Sequence, residues 1–409
     1  ASLLVASGIA YHNSWMRMLV TYYAWAATTR TVSPSGSGTA CTDSSPCSLS
    51  TGVSQLVGGD TLRLKSGVAY TSPIVFSGSQ LPSGPTPSNP TTIEGDTPVD
   101  PSAGSGISPL TVVRPTSGLF IMHFNAITRS NIRVRYIKFD GAVMPSNWLA
   151  SVRIQTSPIT NFTLEFNEIT SIGNVNGGEG VITHGSSPGG LFRNNWIHDI
   201  PQFGGGTIND NHGFYISSDN AVIEHNLIQN IGGLCVQYYN ASDAPFSGGI
   251  VRDNRMVNCL KSAILFGLSS SQMKAYRNVI SNGQSNGIKT IGAQNEVFNN
   301  TVYNSAVGIQ CLSATPCNSS TLIRNNLLIA NSTAIDNPGG ATLANNITTG
   351  TADTHFINAA AGDFCLKLTS PAIDAGVVIP GFSYNGSAPD VGYCESIAIP
   401  NAPTNLIGQ

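Results

Sequence analysis

The chain has 409 residues, 10% of them charged, and a formal net charge of −3. That balance excludes a nucleic-acid partner, because a phosphate backbone wants a concentrated basic face. Ser, Thr, Asn and Gly take the place of charge on the surface, and the eight cysteines form an even set.

Residues 1–28 are an apolar extension unlike the rest. Leu3, Leu4, Val5, Ile9 and Tyr11 make one greasy run; Trp15, Met18, Leu19, Val20, Tyr22, Tyr23 and Trp25 make a second. His12, Asn13 and Arg17 interrupt them, which argues against a membrane span. Ala24-Trp25-Ala26 has the small-x-small form of a signal-peptidase site, so a leader remnant is one reading. The other is an assembly segment that docks on a neighbouring copy of the chain.

Thr31 and Val32 then run as a strand into the turn 33–38. Residues 48–57 read as a short amphipathic helix capped by Ser48 and ended by Gly58-Gly59-Asp60. Thr61-Leu62-Arg63-Leu64-Lys65 alternates as the first full strand. A helix placed there covers the open end of a stack of repeats, which leaves the extension with no capping task. Residues 71–120 are rich in Pro, Ser and Gly and predict long loops. Residues 131–140 resume alternation, with the basic side chains outward.

From residue 162 to 346 one phrase recurs: apolar, two variable residues, Asn, any residue, apolar. It reads Leu164-Glu165-Phe166-Asn167-Glu168-Ile169. It returns at 192–197, 223–228, 251–256, 275–280, 297–302 and 323–328, with a clipped copy at 343–347. The copies lie roughly 20 to 31 residues apart, within the range of solenoid repeats. Alternation sends every second side chain to one face, and the interval is too short for strand–helix–strand units. What remains is an all-β parallel β-helix over residues 29–350: coils of short strands joined by turns and stacked in parallel. Asn tolerates left-handed backbone angles and bonds neighbouring backbone groups. Asn167, Asn195, Asn226, Asn254, Asn278, Asn300 and Asn326, stacked at equivalent bends, predict an internal amide ladder. Residues 351–409 are a closing segment with little repeat character.

Cys41 and Cys47 bracket a small loop, as do Cys311 and Cys317. Cys235 and Cys259 are spaced to join adjacent coils, and Cys365 and Cys394 to pin the C-terminal region. No zinc-type spacing exists, so disulfides and an oxidising, extracellular setting are expected. Candidate glycosylation sites are Asn161, Asn240, Asn299, Asn318, Asn331, Asn346 and Asn385.

The entrance Val32-Ser33-Pro34-Ser35-Gly36 with Gly59-Asp60-Thr61-Leu62-Arg63-Leu64, and the exit Ser370-Pro371-Ala372-Ile373-Asp374-Ala375-Gly376 with Asp390-Val391-Gly392, resemble those of secreted right-handed parallel β-helix proteins. The resemblance covers about residues 30–395. It implies the fold and a secreted or surface setting, not one activity, because lyases, hydrolases, epimerases, adhesins and fibre subunits share it.

Three features bear on chemistry. Residues 176–182 around Glu179 partly resemble a motif of the chondroitinase-B and alginate-lyase family, but Thr183 stands where that motif has Arg. The motif's paired Glu-x-Glu calcium site is missing too, so no cofactor is expected and calcium enters only under a lyase reading. Asp210-Asn211-His212-Gly213-Phe214-Tyr215 is the densest polar cluster, with Glu224 and His225 one strand later. His212 as base and Tyr215 as acid suit β-elimination, with Arg193 or Arg252 facing a uronate carboxylate. His184 and His198 are weaker candidates. Polygalacturonase-like pairs of carboxylates are absent, as is a phosphate loop. On these grounds the favoured expectation is a glycosylated, disulfide-bonded subunit that self-assembles into a filament or layer through residues 1–28. The alternatives are a polysaccharide lyase acting on an acidic glycan and a glycan-binding adhesin.

Overall fold

The computed structural model describes residues 27–104, 110–144, 149–155, 158–172, 178–183, 187–201, 211–239, 244–268, 270–313 and 317–396. The extension and its apolar residues from Leu3 to Trp25 lie outside these. Three parallel sheets of 12, 9 and 10 strands, called I, II and III in the order a coil visits them, wrap around one core. A representative coil runs Thr163–Glu165 in sheet I, Glu168–Thr170 in sheet II and Gly178–Thr183 in sheet III.

Helix α1 (Leu49–Ser54) covers the first coil, its N-terminus capped by the Ser48 side chain, which accepts from the Thr51 N–H. It sits so close that a Cβ on Gly52 would lie 2.3 Å from Val32 Cγ1. Three strand expectations need correction. Thr29–Val32 precedes Thr61–Leu64 and pairs with it in parallel, so it is the first strand. Residues 71–120 hold three strands, Ile74–Ser77, Thr91–Gly95 and Thr111–Val113, one for each sheet. The run 131–140 is two strands, Ile132–Arg135 and Ile137–Asp140, broken at Tyr136, whose φ is +60°.

In-register stacking builds the interior. Ile93, Val134, Leu164, Phe192, Ile223, Val251, Ala275, Val297 and Ile323 form one unbroken column along sheet I, each fully buried. Beside it runs the amide ladder. Asn195 Oδ1 accepts the backbone N–H and the side-chain amide of Asn167 at 3.0 and 3.1 Å. Asn195 Nδ2 in turn donates to the Leu164 carbonyl and to Asn226 Oδ1. The pattern repeats through Asn254, Asn278, Asn300, Asn326 and Asn346. The left-handed residue at each bend is the one before the ladder Asn: Phe166, Asn194, His225, Asp253, Arg277, Asn299, Asn325 and Asn345. The two tasks expected of one residue are therefore divided between neighbours.

On the outside of sheet I, one register column, which from Glu165 on stands two residues before each ladder Asn, alternates in sign. Arg63, Glu94, Arg135, Glu165, Arg193, Glu224 and Arg252 are consecutive register partners. The Glu165 carboxylate is held by Arg193 at 2.7 Å and by Arg133 at 3.3 Å.

All four disulfides join the expected pairs: Cys41–Cys47, Cys235–Cys259, Cys311–Cys317 and Cys365–Cys394. The C-terminal segment leaves the parallel pattern with α2 (Ala352–His355) and the antiparallel pair Phe356–Asn358 and Asp363–Leu366. Its exit motif is bonded to the last bends. Asn325 accepts from the Val377 N–H and donates to its carbonyl, Asn299 donates to the Asp390 carbonyl, and Asn345 to that of Ala375.

Asn254→Ala removes an acceptor and a donor from the middle of the ladder and leaves the Asn226 backbone N–H without its acceptor. The expected loss is about 2–4 kcal/mol in urea unfolding, with the m-value unchanged. Glu165→Gln leaves guanidinium groups without their counter-charge. Because those arginines are partly exposed, a smaller loss of about 1–3 kcal/mol is expected in the same assay.

Candidate functional site

The coils are not equal in length. Successive ladder Asn residues from Asn167 to Asn254 are 28, 31 and 28 residues apart, against 24 and 22 for the next two. Most of the extra residues in the long coils adjoin the sheet III strands in sequence, as between Ile200 and Asn211 and between Tyr238 and Phe246.

Two register columns meet on the outer face of sheet III. One runs His123, Arg153, Ile182, Tyr215, Gln237; the other Phe120, Ala150, Glu179, His212, Leu234. They converge because alternation skips a step. A Cβ on Gly213 would lie 3.2 Å from Ile228 Cγ2 in the core and 2.5 Å from the Cys235 carbonyl oxygen. Gly213 and the buried Phe214 both face inward, and His212 and Tyr215 are left together outside, with ring centroids 5.3 Å apart. In the preceding coil Gly180 and Val181 do the same between Glu179 and Ile182. A larger residue at either glycine would push against backbone.

Glu179, directly beside His212 in the register, is 2% exposed, and His212 is 3% exposed. Burial pushes the His212 imidazole down to about 4, opposed by the nearby Gln237 side chain. Neither ring nitrogen has a hydrogen-bond partner of normal geometry among the described residues. The Arg153 guanidinium lies 4.6 Å over the Phe120 ring. Burial lowers Arg153, and the charge of Glu179 opposes that. Burial, then the charge of Arg153, lowers His123, against its bond to Gln155 Oε1 at 3.2 Å. The face thus offers a neutral imidazole, a phenol, a carboxylate and a cation in adjacent coils.

Of the sequence candidates, His212, Tyr215 and Glu179 are brought together. Arg193 and Arg252 are not: both belong to the sheet I column, paired with Glu165 and Glu224. Glu224 therefore leaves the cluster, and His225 is an exposed left-handed bend residue. His198 lies on sheet II, bonded to Asp199 at 2.8 Å and Glu168 at 3.2 Å. His184 and Asp210 are outside the described residues. Sequence reasoning missed Arg153, Phe120, His123 and Gln237. The alternation of residues 149–155 places Arg153 outward, but only the register shows which coil it faces.

No group of three His, Cys, Asp or Glu placed to hold a metal ion occurs among the described residues. The sequons differ in what their amides do. Asn299, Asn331 and Asn346 donate to backbone carbonyls and are tied into the fold. Asn161 and Asn385 donate to Asn131 and to the Ser396 carbonyl. Asn318 is exposed and uses only its oxygen, to accept from Ser320, while Asn240 is outside the described residues. No helix among the described residues is long and apolar enough to cross a membrane.

Residues 207–328 match the family model described as right handed beta helix region. The chain is a right-handed parallel β-helix. Its solved neighbours include the pectate lyase Pel9A, at 15% identity over 90% of this chain and 96% of that one, with a TM-score of 0.63. A rhamnogalacturonan lyase matches at 13% identity over 81% of this chain and 91% of that one, with a TM-score of 0.50. At such identities the likeness is one of fold. No curated protein matches the chain.

The buried imidazole makes the stability of this β-helix sensitive to acid. His212 binds its proton less readily folded, at about 4, than unfolded, near 6.5. Unfolding therefore takes up a proton between those values. Stability is constant above about pH 6.5, falls as pH drops toward about 4, and loses at most roughly 3 kcal/mol from this group. Unfolding of His212→Gln across that range should lack this part of the slope.

Proposed function

We propose that the protein is a secreted polysaccharide lyase acting on an acidic glycan at the outer face of sheet III. The observation that carries this reading is the convergence of Arg153, Glu179, His212 and Tyr215 in adjacent coils. β-Elimination at a uronate needs a base for the proton α to the carboxylate, a cation for the charge that develops, and an acid for the leaving oxygen. In this reading Arg153 pairs with the substrate carboxylate and His212, neutral at ordinary pH, takes the C5 proton. The C5–H electrons form the C4–C5 double bond, the C4–O bond breaks, and the Tyr215 hydroxyl protonates the departing oxygen. Glu179 orients the Arg153 guanidinium. The substrate's own negative charge raises the His212 pKa and makes it a better base once the site is filled.

The fold likeness to a pectate lyase and a rhamnogalacturonan lyase supports this reading over a structural one. Self-assembly through residues 1–28 draws no support from those neighbours. The four disulfides favour a secreted setting.

Incubation with a panel of uronate polymers should give unsaturated, ultraviolet-absorbing products. His212→Ala and Tyr215→Phe should each lower kcat by about 100-fold or more, with unfolding curves recorded to separate chemistry from folding. Cleavage to saturated products, or full activity in both variants, would refute the assignment.

A further inference from the structure

The sheet III column does not stop at the proposed reacting centre. Beyond Tyr215 it continues in register through Gln237, Leu265, Lys289, Gln310 and Asp336. Ile288 and Thr290 on either side of Lys289 are fully buried, so the lysine between them points outward from the same face. Its neighbours differ from those of most cations in the chain. Lys138 and Lys274 bond Glu168 and Glu296, and the sheet I arginines share their carboxylates. Lys289 has no ion-pair or hydrogen-bond partner for its ammonium among the described residues. The carboxylate two strands further along the column, Asp336, is occupied by the Gln310 amide at 2.7 Å.

We propose that Lys289 anchors a carboxylated sugar of the bound polymer at a subsite three coils from His212 and Tyr215. The inference rests on the reading of this face as an acidic-glycan site. Strands in one sheet are about 4.8 Å apart, which puts Lys289 about 14 Å from Tyr215 and about 24 Å from Arg153 along the stack. A glycan lying along the helix axis advances by about one coil per sugar, so both cations meet carboxylates only in a chain of several units. Between them the face changes character. Tyr215 and Tyr239, with ring centroids 6.4 Å apart, and Leu265 in the column present apolar surface to sugar rings. Such a site selects long polyanions and cuts within them rather than trimming their ends.

The test combines binding with cleavage. Lys289→Ala should weaken binding of a polyuronate by about 10- to 100-fold, the range of one charge-assisted contact, and reduce the salt dependence of binding. KM for long oligomers should rise with kcat little changed, while an oligomer too short to span three coils should be cleaved equally by both proteins. Lys289→Arg should restore most of the affinity, and Lys367→Ala, which removes the same charge from the C-terminal segment, should change nothing. Equal binding and equal KM for Lys289→Ala and the unaltered protein would overturn the subsite even if cleavage is observed. Weakened polyuronate binding without any cleavage would uphold the subsite and remove the lyase reading instead. Absence of both binding and cleavage would remove the two together.

Discussion

The amide ladder sets the terms for everything else in this molecule. A coil of three short strands bends sharply after sheet I, and each bend exposes backbone groups inside a stack with no water to satisfy them. Asn is the side chain that answers both needs at once, with an oxygen for an N–H group of the preceding coil and an amide for carbonyls of that coil and of its own. Because every ladder Asn bonds its counterpart in the next coil, the bends are locked in vertical register. The apolar columns then stack without slippage, and so do the residues outside them.

That division explains how much could be read in advance. The ladder and the strands beside it were legible because one residue type recurs at nearly constant intervals and its chemistry has one good structural use. The cysteine pairs followed from proximity within or between neighbouring coils. The strands of residues 71–120 were hidden because Thr111–Val113 and its companions are only 3 to 5 residues long and lie among Pro and Gly, where turn signals outweigh a short alternation. Arg193 and Arg252 were assigned to the wrong face although a signal existed. The position two residues before the ladder Asn reads Glu165, Arg193, Glu224, Arg252 down the stack, the alternation expected of a self-neutralising column.

The candidate site was half legible for a different reason. His212 and Tyr215 share a strand, so their proximity needed only the local skip at Gly213. Arg153 and Glu179 come from other coils, and their relation to His212 depends on a register that the unequal loops around sheet III conceal. Where coils are equal, position in the repeat predicts the neighbour; where they are not, it fails. The irregular loops are also where a solenoid admits specific chemistry, since the repeat itself is fully committed to packing.

The distribution of unsatisfied groups makes the same point energetically. On the ladder side of the long coils, Asn195 and Asn226 have their side-chain oxygens and amides bonded. On the sheet III side of the same coils, Asn211 and His212 are buried with no bonded partner for either side-chain polar atom among the described residues. A buried polar group left in this state costs about 1–3 kcal/mol. Two in succession on one strand are a burden that packing alone gives no reason to keep. Under the proposed glycan reading, the well-bonded ladder opposite would hold the strand in place while these groups await partners supplied by a ligand. Ligand binding would then return in affinity part of what the empty site costs in stability, and the imidazole would gain basicity only when a carboxylate is present to use it.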